Sequence, residues 1–135
     1  MANAGDYYIV SLSEAHLGWG THRYTNSRSP IEGERYLPIP RSEAMRLYIL
    51  NSNGTGGQDV PGDNIFYCTS RDGFFSAVFK AQGCSQAGDI FAKQFSVDKD
   101  LKALKSWYDH VDAAPGDKVI VTWTSRTNIV IDLLR

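Results

Sequence analysis

Short apolar runs alternate with polar turns along this chain, and a period of two dominates. Residues 7–12 (YYIVSL), 35–39 (RYLPI), 65–70 (IFYCTS), 74–82 (FFSAVFKAQ), 90–95 (IFAKQF), 118–124 (KVIVTWT) and 128–134 (NIVIDLL) are rich in β-branched and aromatic residues. Each is bounded by glycine, proline or small polar residues, which predicts strands. Pro38 and Pro40 confine the second run to a sheet edge or a strand end, because proline donates no ladder hydrogen bond. A helical period shows in two places. Ser42 reads as the N-cap of about two turns carrying Glu43, Ala44, Met45 and Leu47. Asp98 reads as the cap of a helix over residues 99–110, where Leu101, Leu104, Trp107 and Tyr108 share one apolar face.

The polar segments differ among themselves. Arg71, Asp72 and Gly73 sit between two strand-like runs, and Asp-Gly predicts a hairpin. A final hairpin is expected around Ser125 and Arg126. Residues 51–64 (NSNGTGGQDVPGDN) are turn-formers throughout and predict a flexible surface loop. Their GTGGQD stretch lacks the Lys-Ser/Thr and the following helix of a phosphate-binding loop. Residues 13–34 hold three glycines, many hydroxyls and little apolar periodicity. A stretch this long inside a compact domain predicts a functional loop. The pattern amounts to about seven strands and two short helices, with no repeat and no internal boundary. That argues for one mainly β (α+β) domain over residues 1–135, an antiparallel barrel or sandwich closed at its ends by helices, and against a doubly wound sheet.

Composition narrows the classes. A chain of 135 residues has the size of one domain with one core. No apolar run reaches membrane-spanning length, and the N-terminus lacks the basic and apolar regions of a signal peptide. Cys68 and Cys84 are the only cysteines. They are expected as buried thiols in a reduced, cytoplasmic setting, with a pairing in an oxidising one left open. The net charge of −1 lacks the positive excess common in nucleic-acid binders. Charge is segregated, however. Arg23, Arg28 and Arg35 lie together, and Lys80, Lys93, Lys99, Lys102 and Lys105 form a second region. Asp59, Asp63, Asp109, Asp112 and Asp117 fall elsewhere, so a basic face is compatible with a neutral total.

Catalytic motifs are sparse. His16, His22 and His110 are the only histidines, without metal-ligand spacing, and the cysteines form no CxxC pair. There is no GxSxG elbow. Asp109, Asp112 and Asp117 sit at a helix end and a turn, ordinary places for solvated acids. No cofactor or metal is implied. A small hydrolase or nuclease with an unrecognised site, and a small-ligand or protein-binding barrel, remain rival readings. Trp107 and Trp123 are expected in the core. Trp19, between two glycines, either anchors its loop or stacks on a ligand. Around it, Arg23 and Arg28 match guanine O6 and N7, and Asn26 matches the adenine edge. Thr21, Thr25, Ser27 and Ser29 suit phosphates. Gln82, Ser85, Gln86, Lys93 and Gln94 form a second such cluster. A merely solvated loop is the plain alternative for each.

The order of these pieces resembles the plant B-three DNA-binding domain. That family has a strand ending in Ile-Pro, a short helix, and later a Trp-containing segment before Gly-Asp and an alternating strand. Here these read Ile39-Pro40, Trp107 and Gly116-Asp117. The chain resembles more closely the bacterial relatives that serve as specificity or effector-binding domains of restriction endonucleases. GERYLPIP (33–40) matches their Gly-Glu-x-Tyr-Ile-Pro-Ile-Pro segment with Leu37 in place of Ile, and DGFF, KAQG and GDIFAKQF also look like such domains. The match spans roughly residues 16–134.

The resemblance implies a seven-stranded open pseudobarrel with two short helices. It further implies double-stranded DNA as partner, gripped in the major groove by an N-arm (18–34) and a C-arm (about 82–93). Trp19, His22, Arg23, Tyr24, Thr25, Asn26, Ser27 and Arg28 would approach from one arm. Gln82, Ser85 and Gln86 would approach from the other; Lys93, Lys80 (whose direction is left open by the alternation along its strand) and some of Lys99, Lys102 and Lys105 would neutralise phosphates. Glu32 and Glu34 depart from a phosphate-facing surface; Glu34 would tie the arm to Arg35 or Arg41, or accept from cytosine N4. Catalysis would reside in a nuclease domain elsewhere, in the same or another chain. Reading of methylated cytosine by base flipping would need an aromatic pocket, for which Trp19 and Tyr24 are candidates.

Overall fold

The computed structural model describes residues 2–17, 35–83, 88–100 and 102–134. The elements run β1 (Tyr7–Ser11), α1 (Glu14–Leu17), β2 (Leu37–Pro38), α2 (Arg41–Leu47), β3 (Ile65–Ser70), β4 (Ser76–Gln82), β5 (Gln94–Val97), α3 (Ala103–His110), β6 (Lys118–Trp123) and β7 (Asn128–Leu134). The strands form one seven-stranded sheet in the order β1-β6-β7-β3-β4-β5-β2. Neighbours are antiparallel except β3 and β7, which run parallel, so the sheet is mixed.

The sheet curls into a nearly closed barrel, the mainly β, seven-stranded pseudobarrel expected. Its two edge strands do not pair with each other, yet Tyr8 on β1 donates its hydroxyl to Pro38 O on β2 at 3.1 Å. Burial raises the Tyr8 phenol well above its ordinary pKa, with smaller contributions from Tyr108, Cys68 and Glu43, so the hydroxyl remains a donor. Helix α2 covers the seam, and Arg46 donates to Tyr7 O at 2.7 Å.

Strand alternation fills the interior. Phe66, Phe79, Phe95 and Trp123 are buried, with Phe66 edge-on to Phe95 at 5.5 Å and to Trp123 at 5.9 Å. Val119, Val121, Ile129 and Ile131 supply the aliphatic share. Helix α3 inserts Leu104, Trp107 and Tyr108, so Trp107 and Trp123 are core residues, as their pattern predicts. Each such side chain contributes about 1.5–3 kcal/mol of burial. Cys68 is a buried free thiol whose pKa is pushed up by desolvation. Cys84 lies outside the described residues.

Several boundaries differ from the pattern, for identifiable reasons. β2 is two residues long rather than five. Beyond Pro38 the pairing stops: Ile39 N donates to Lys93 O, but Lys93 N donates to Gln82 O and not back to Ile39. The carbonyls on the open edge are taken by tyrosines, Tyr108 donating to Tyr36 O at 2.8 Å and Tyr8 to Pro38 O. Pro38 does lie on an edge strand. Pro40, not Ser42, is the N-cap of α2; its φ of −58° suits the entry, and its carbonyl accepts from Glu43 and Ala44. β5 starts at Gln94, not residue 90, because residues 90–92 pair with residues 49–51 instead, through a Leu50–Phe91 bridge. Helix α3 starts at Ala103, since residues 98–99 turn and Lys99 takes a φ of +64°. Asp100, rather than Asp98, accepts from the Lys102 N–H at 3.2 Å. Within the stretch read as a loop from residue 13, Glu14–Leu17 forms one helical turn. Ser13 N donates to His16 Nδ1 at 3.0 Å while His16 N donates back to Ser13 Oγ, a reciprocal cap with His in the place of Glu.

Candidate nucleic-acid interface

Trp19, His22, Arg23, Tyr24, Thr25, Asn26, Ser27, Arg28, Ser85 and Gln86 lie outside the described residues. Gln82 and Lys93 are described, and so are the points where both long connections join the barrel. The first connection returns through Arg35 and Tyr36 into β2. The second leaves β4 at Gln82 and re-enters the sheet at β5. β2 pairs with β5 through Leu37↔Phe95 and Pro38↔Gln94, and Gln82 faces Gln94 across the next ladder. Pro38, Gln94 and Gln82 therefore form one row over three strands. At about 3.4 Å per residue, the start of β2 lies within about 7 Å of that row. The return ends of both connections thus converge on one corner of the barrel.

That corner is built by residues distant in sequence. Asn51 is buried, 1 % exposed. Its Nδ2 donates to Gly83 O and to Asp89 O, each at 2.7 Å, and lies 3.3 Å from Phe91 O. Its Oδ1 accepts from Asn53 N at 2.8 Å, and Asn53 Nδ2 adds a 3.2 Å bond to Asp89 O. Arg41 forms an ion pair with Asp89 and lies 6.0 Å over the Phe91 ring. The Phe91 N–H and then Arg41 hold the Asp89 carboxyl below its ordinary pKa. Lys93 N donates to Gln82 O, and Lys93 O accepts from Ile39 N, both at 2.8 Å. The segment 51–64 is therefore not the flexible loop its composition suggested: Asn51 and Asn64 are both buried and bonded.

The described cations differ in availability. Lys93, Lys99 and Lys102 are exposed. Lys80 points to the outer face of β4 and is paired with Asp59 at 3.1 Å, which settles its orientation and binds its charge. Lys105 is paired with Asp109 at 2.6 Å. Arg41, expected as a partner for Glu34, is paired with Asp89; Glu34 lies outside the described residues.

Among the described residues, no group of three His, Cys, Asp or Glu side chains gathers to hold a metal. His16 bonds to Ser13, while His110 stacks on Phe74 at 3.7 Å and lies 3.6 Å from Asp72. The interior is occupied by aromatic side chains, and the groove at the seam, lined by Tyr7, Ile9, Glu43 and Arg46, opens to solvent. No helix among the described residues is long and apolar enough to cross a membrane.

Arg41, Asn51, Asn53, Asp89 and Phe91 were not legible as one group. The sole hint was an asparagine directly after the apolar pair Ile49-Leu50, and no spacing links it to Gly83 or Asp89.

No protein-family model and no curated protein matches the sequence. Solved structures do match in fold. The N-terminal domain of Helicobacter pylori LlaJI.R1 superposes with a TM-score of 0.55 at 6% identity, over 96% of this chain and 88% of that one. The hypothetical Arabidopsis thaliana protein At1g16640.1 gives a TM-score of 0.49 at 10% identity, over 98% of this chain and 94% of that one. With the strand order above, the likeness to the LlaJI.R1 domain supports a B-three-like pseudobarrel fold.

Proposed function

We propose that this chain is a sequence-specific double-stranded DNA-binding domain that reads the major groove with two arms, residues 18–34 and about 82–93. The observation that carries the reading is the convergence of both arms' return ends on the β2–β5 ladder. The two segments re-enter the sheet at the same corner, and that corner carries the exposed Lys93. Arg23, Arg28 and Asn26 are the base readers of the first arm, and Gln82, with Ser85 and Gln86, those of the second. Lys93 contacts phosphates.

The role in a restriction system, as target-recognition part working with a nuclease domain in this or another chain, rests on the sequence resemblance. A fold shared with the LlaJI.R1 N-terminal domain agrees with it. The chain itself is non-catalytic in this reading and acts in the cytoplasm. Trp19 and Tyr24 form the pocket if the base read is a modified cytosine.

The test is a binding selection from randomised duplexes, with and without cytosine methylation, at two salt concentrations. A short enriched motif whose affinity falls as salt rises is the expected result, and enrichment confined to the methylated pool identifies a modified-base reader. Replacing Arg23 or Arg28 by Ala then relaxes the motif. Retention of no duplex even at low salt overturns the proposal.

A further inference from the structure

We infer that Asn51 is a positioning residue that closes the mouth of the β4–β5 connection between Gly83 and Asp89 and so fixes how Gln82 and Lys93, a base contact and a phosphate contact in the reading proposed above, on which this inference rests, are presented. Burying an amide side chain is costly unless all its hydrogen-bonding capacity is used. Asn51 uses it on the two lips of one opening. β4 ends at Gln82 and β5 begins at Gln94, so the carbonyls of Gly83 and Asp89 have no place in either strand's ladder. Both oxygens lie 2.7 Å from the same Asn51 nitrogen, which holds them within about 5.4 Å of each other.

The candidate contacts are mounted on those lips. Gln82 directly precedes Gly83. A Cβ placed on Gly83, whose φ is +126°, would stand 2.8 Å from Lys93 Cβ, so the lysine stem lies against the glycine backbone. Lys93 N closes the unit by donating to Gln82 O at 2.8 Å. Asn51 itself is buried and offers nothing to a duplex. Its effect on DNA passes through the geometry of the pair: it aligns a base-reading amide with a phosphate-bound ammonium, which a sequence-specific contact needs and a non-specific one does not.

The test compares the full chain with Asn51→Asp, which keeps the shape but replaces the donating NH₂ by an oxygen facing two carbonyls. Asn51→Ala, which adds no charge, stands in if that variant does not fold. Affinity is measured for the duplex selected by the parent and for a scrambled duplex, at a temperature where both chains are folded. Backbone hydrogen exchange is followed in parallel. The selected duplex is expected to lose about tenfold or more in affinity, with the scrambled duplex and its salt dependence unchanged and exchange faster at Gly83 and residues 89–93. Equal weakening on both duplexes, or no change on either, overturns the inference. If the parent itself retains no duplex, the DNA reading falls, and hydrogen exchange alone decides the clamp: selective acceleration at the two lips upholds it, and a uniform change overturns it.

Discussion

Strand β4 is entered and left by two connections that are held in opposite ways. The turn from β3, residues 71–73, is held mainly by short-range bonds. Ser70 Oγ bonds to the Asp72 carboxylate, Asp72 Oδ1 accepts from Phe74 N at 2.9 Å, Ser70 Oγ accepts from Phe75 N at 2.9 Å, and Gly73 supplies a φ of +79°. None of these bonds spans more than five residues. The base of the β4–β5 connection is tied instead from Asn51, 32 and 38 positions away, and from Arg41, 48 positions away. The turn takes most of its bonds from its own residues; from the rest of the fold it receives the Ile131 carbonyl, which accepts from Arg71 N at 2.9 Å, and side-chain contacts from Asp132 and His110. An opening between two strands needs a donor brought from elsewhere, and the fold must form first to bring it.

The contrast can be broken most forcefully at Asn51. Asn51→Ala leaves the carbonyls of Gly83 and Asp89 without their buried donor and is expected to cost about 3 kcal/mol, read as a lower urea midpoint. Asp72→Ala in the local turn is expected to shift the midpoint less. An equal or larger shift for Asp72→Ala would mean that the distant tie carries no more than the local one.

The two glycines sharpen the comparison at the next level. Gly83→Ala meets both a forbidden backbone conformation and the Lys93 stem at 2.8 Å, for about 2–3 kcal/mol. Gly73→Ala has φ +79° but nothing within 4 Å of the new methyl, so only the left-handed penalty of about 1 kcal/mol applies. Thermal unfolding of the pair reads the difference, and equal losses would show that the Gly83–Lys93 contact relaxes freely.

Acid should weaken both connections. Asp72 is held below its ordinary pKa first by Ser70 and then by the Phe74 N–H; Asp89 is held down first by the Phe91 N–H and then by Arg41. A depressed carboxylate contributes stability that is fully present above the unfolded value, near 3.8, and lost as pH falls through the lower folded value. The urea midpoint should therefore fall on acidification below about pH 5. Asp89→Asn and Asp72→Asn should each remove part of that slope. A slope untouched by both changes would place the acid sensitivity elsewhere.

The smallest expected effect concerns binding. Lys93→Ala should weaken all duplexes alike and lower the salt slope by about 1, whereas a variant at the Asn51 clamp changes the preference between duplexes. Fluorescence titration at three salt concentrations separates the two behaviours.

The sequence by itself determined which segments are strands and which local turns join them. β3 and β7 have the limits their alternation predicts, Trp107 and Trp123 are core, and the Asp72-Gly73 turn follows from its own residues. Period-two burial and short-range hydrogen bonds act within a few residues, so a linear pattern contains them. Only the tertiary structure decided what depends on contacts across the chain. The open edge of β2 is capped by tyrosines on β1 and α3 that donate to Pro38 O and Tyr36 O. The late start of β5 follows from residues 49–51 pairing with residues 90–92. The burial of Asn51 between Gly83 and Asp89 arises in the same way. Each is a buried polar group satisfied by a partner at least 30 residues distant, and no local periodicity records which partner the fold will deliver.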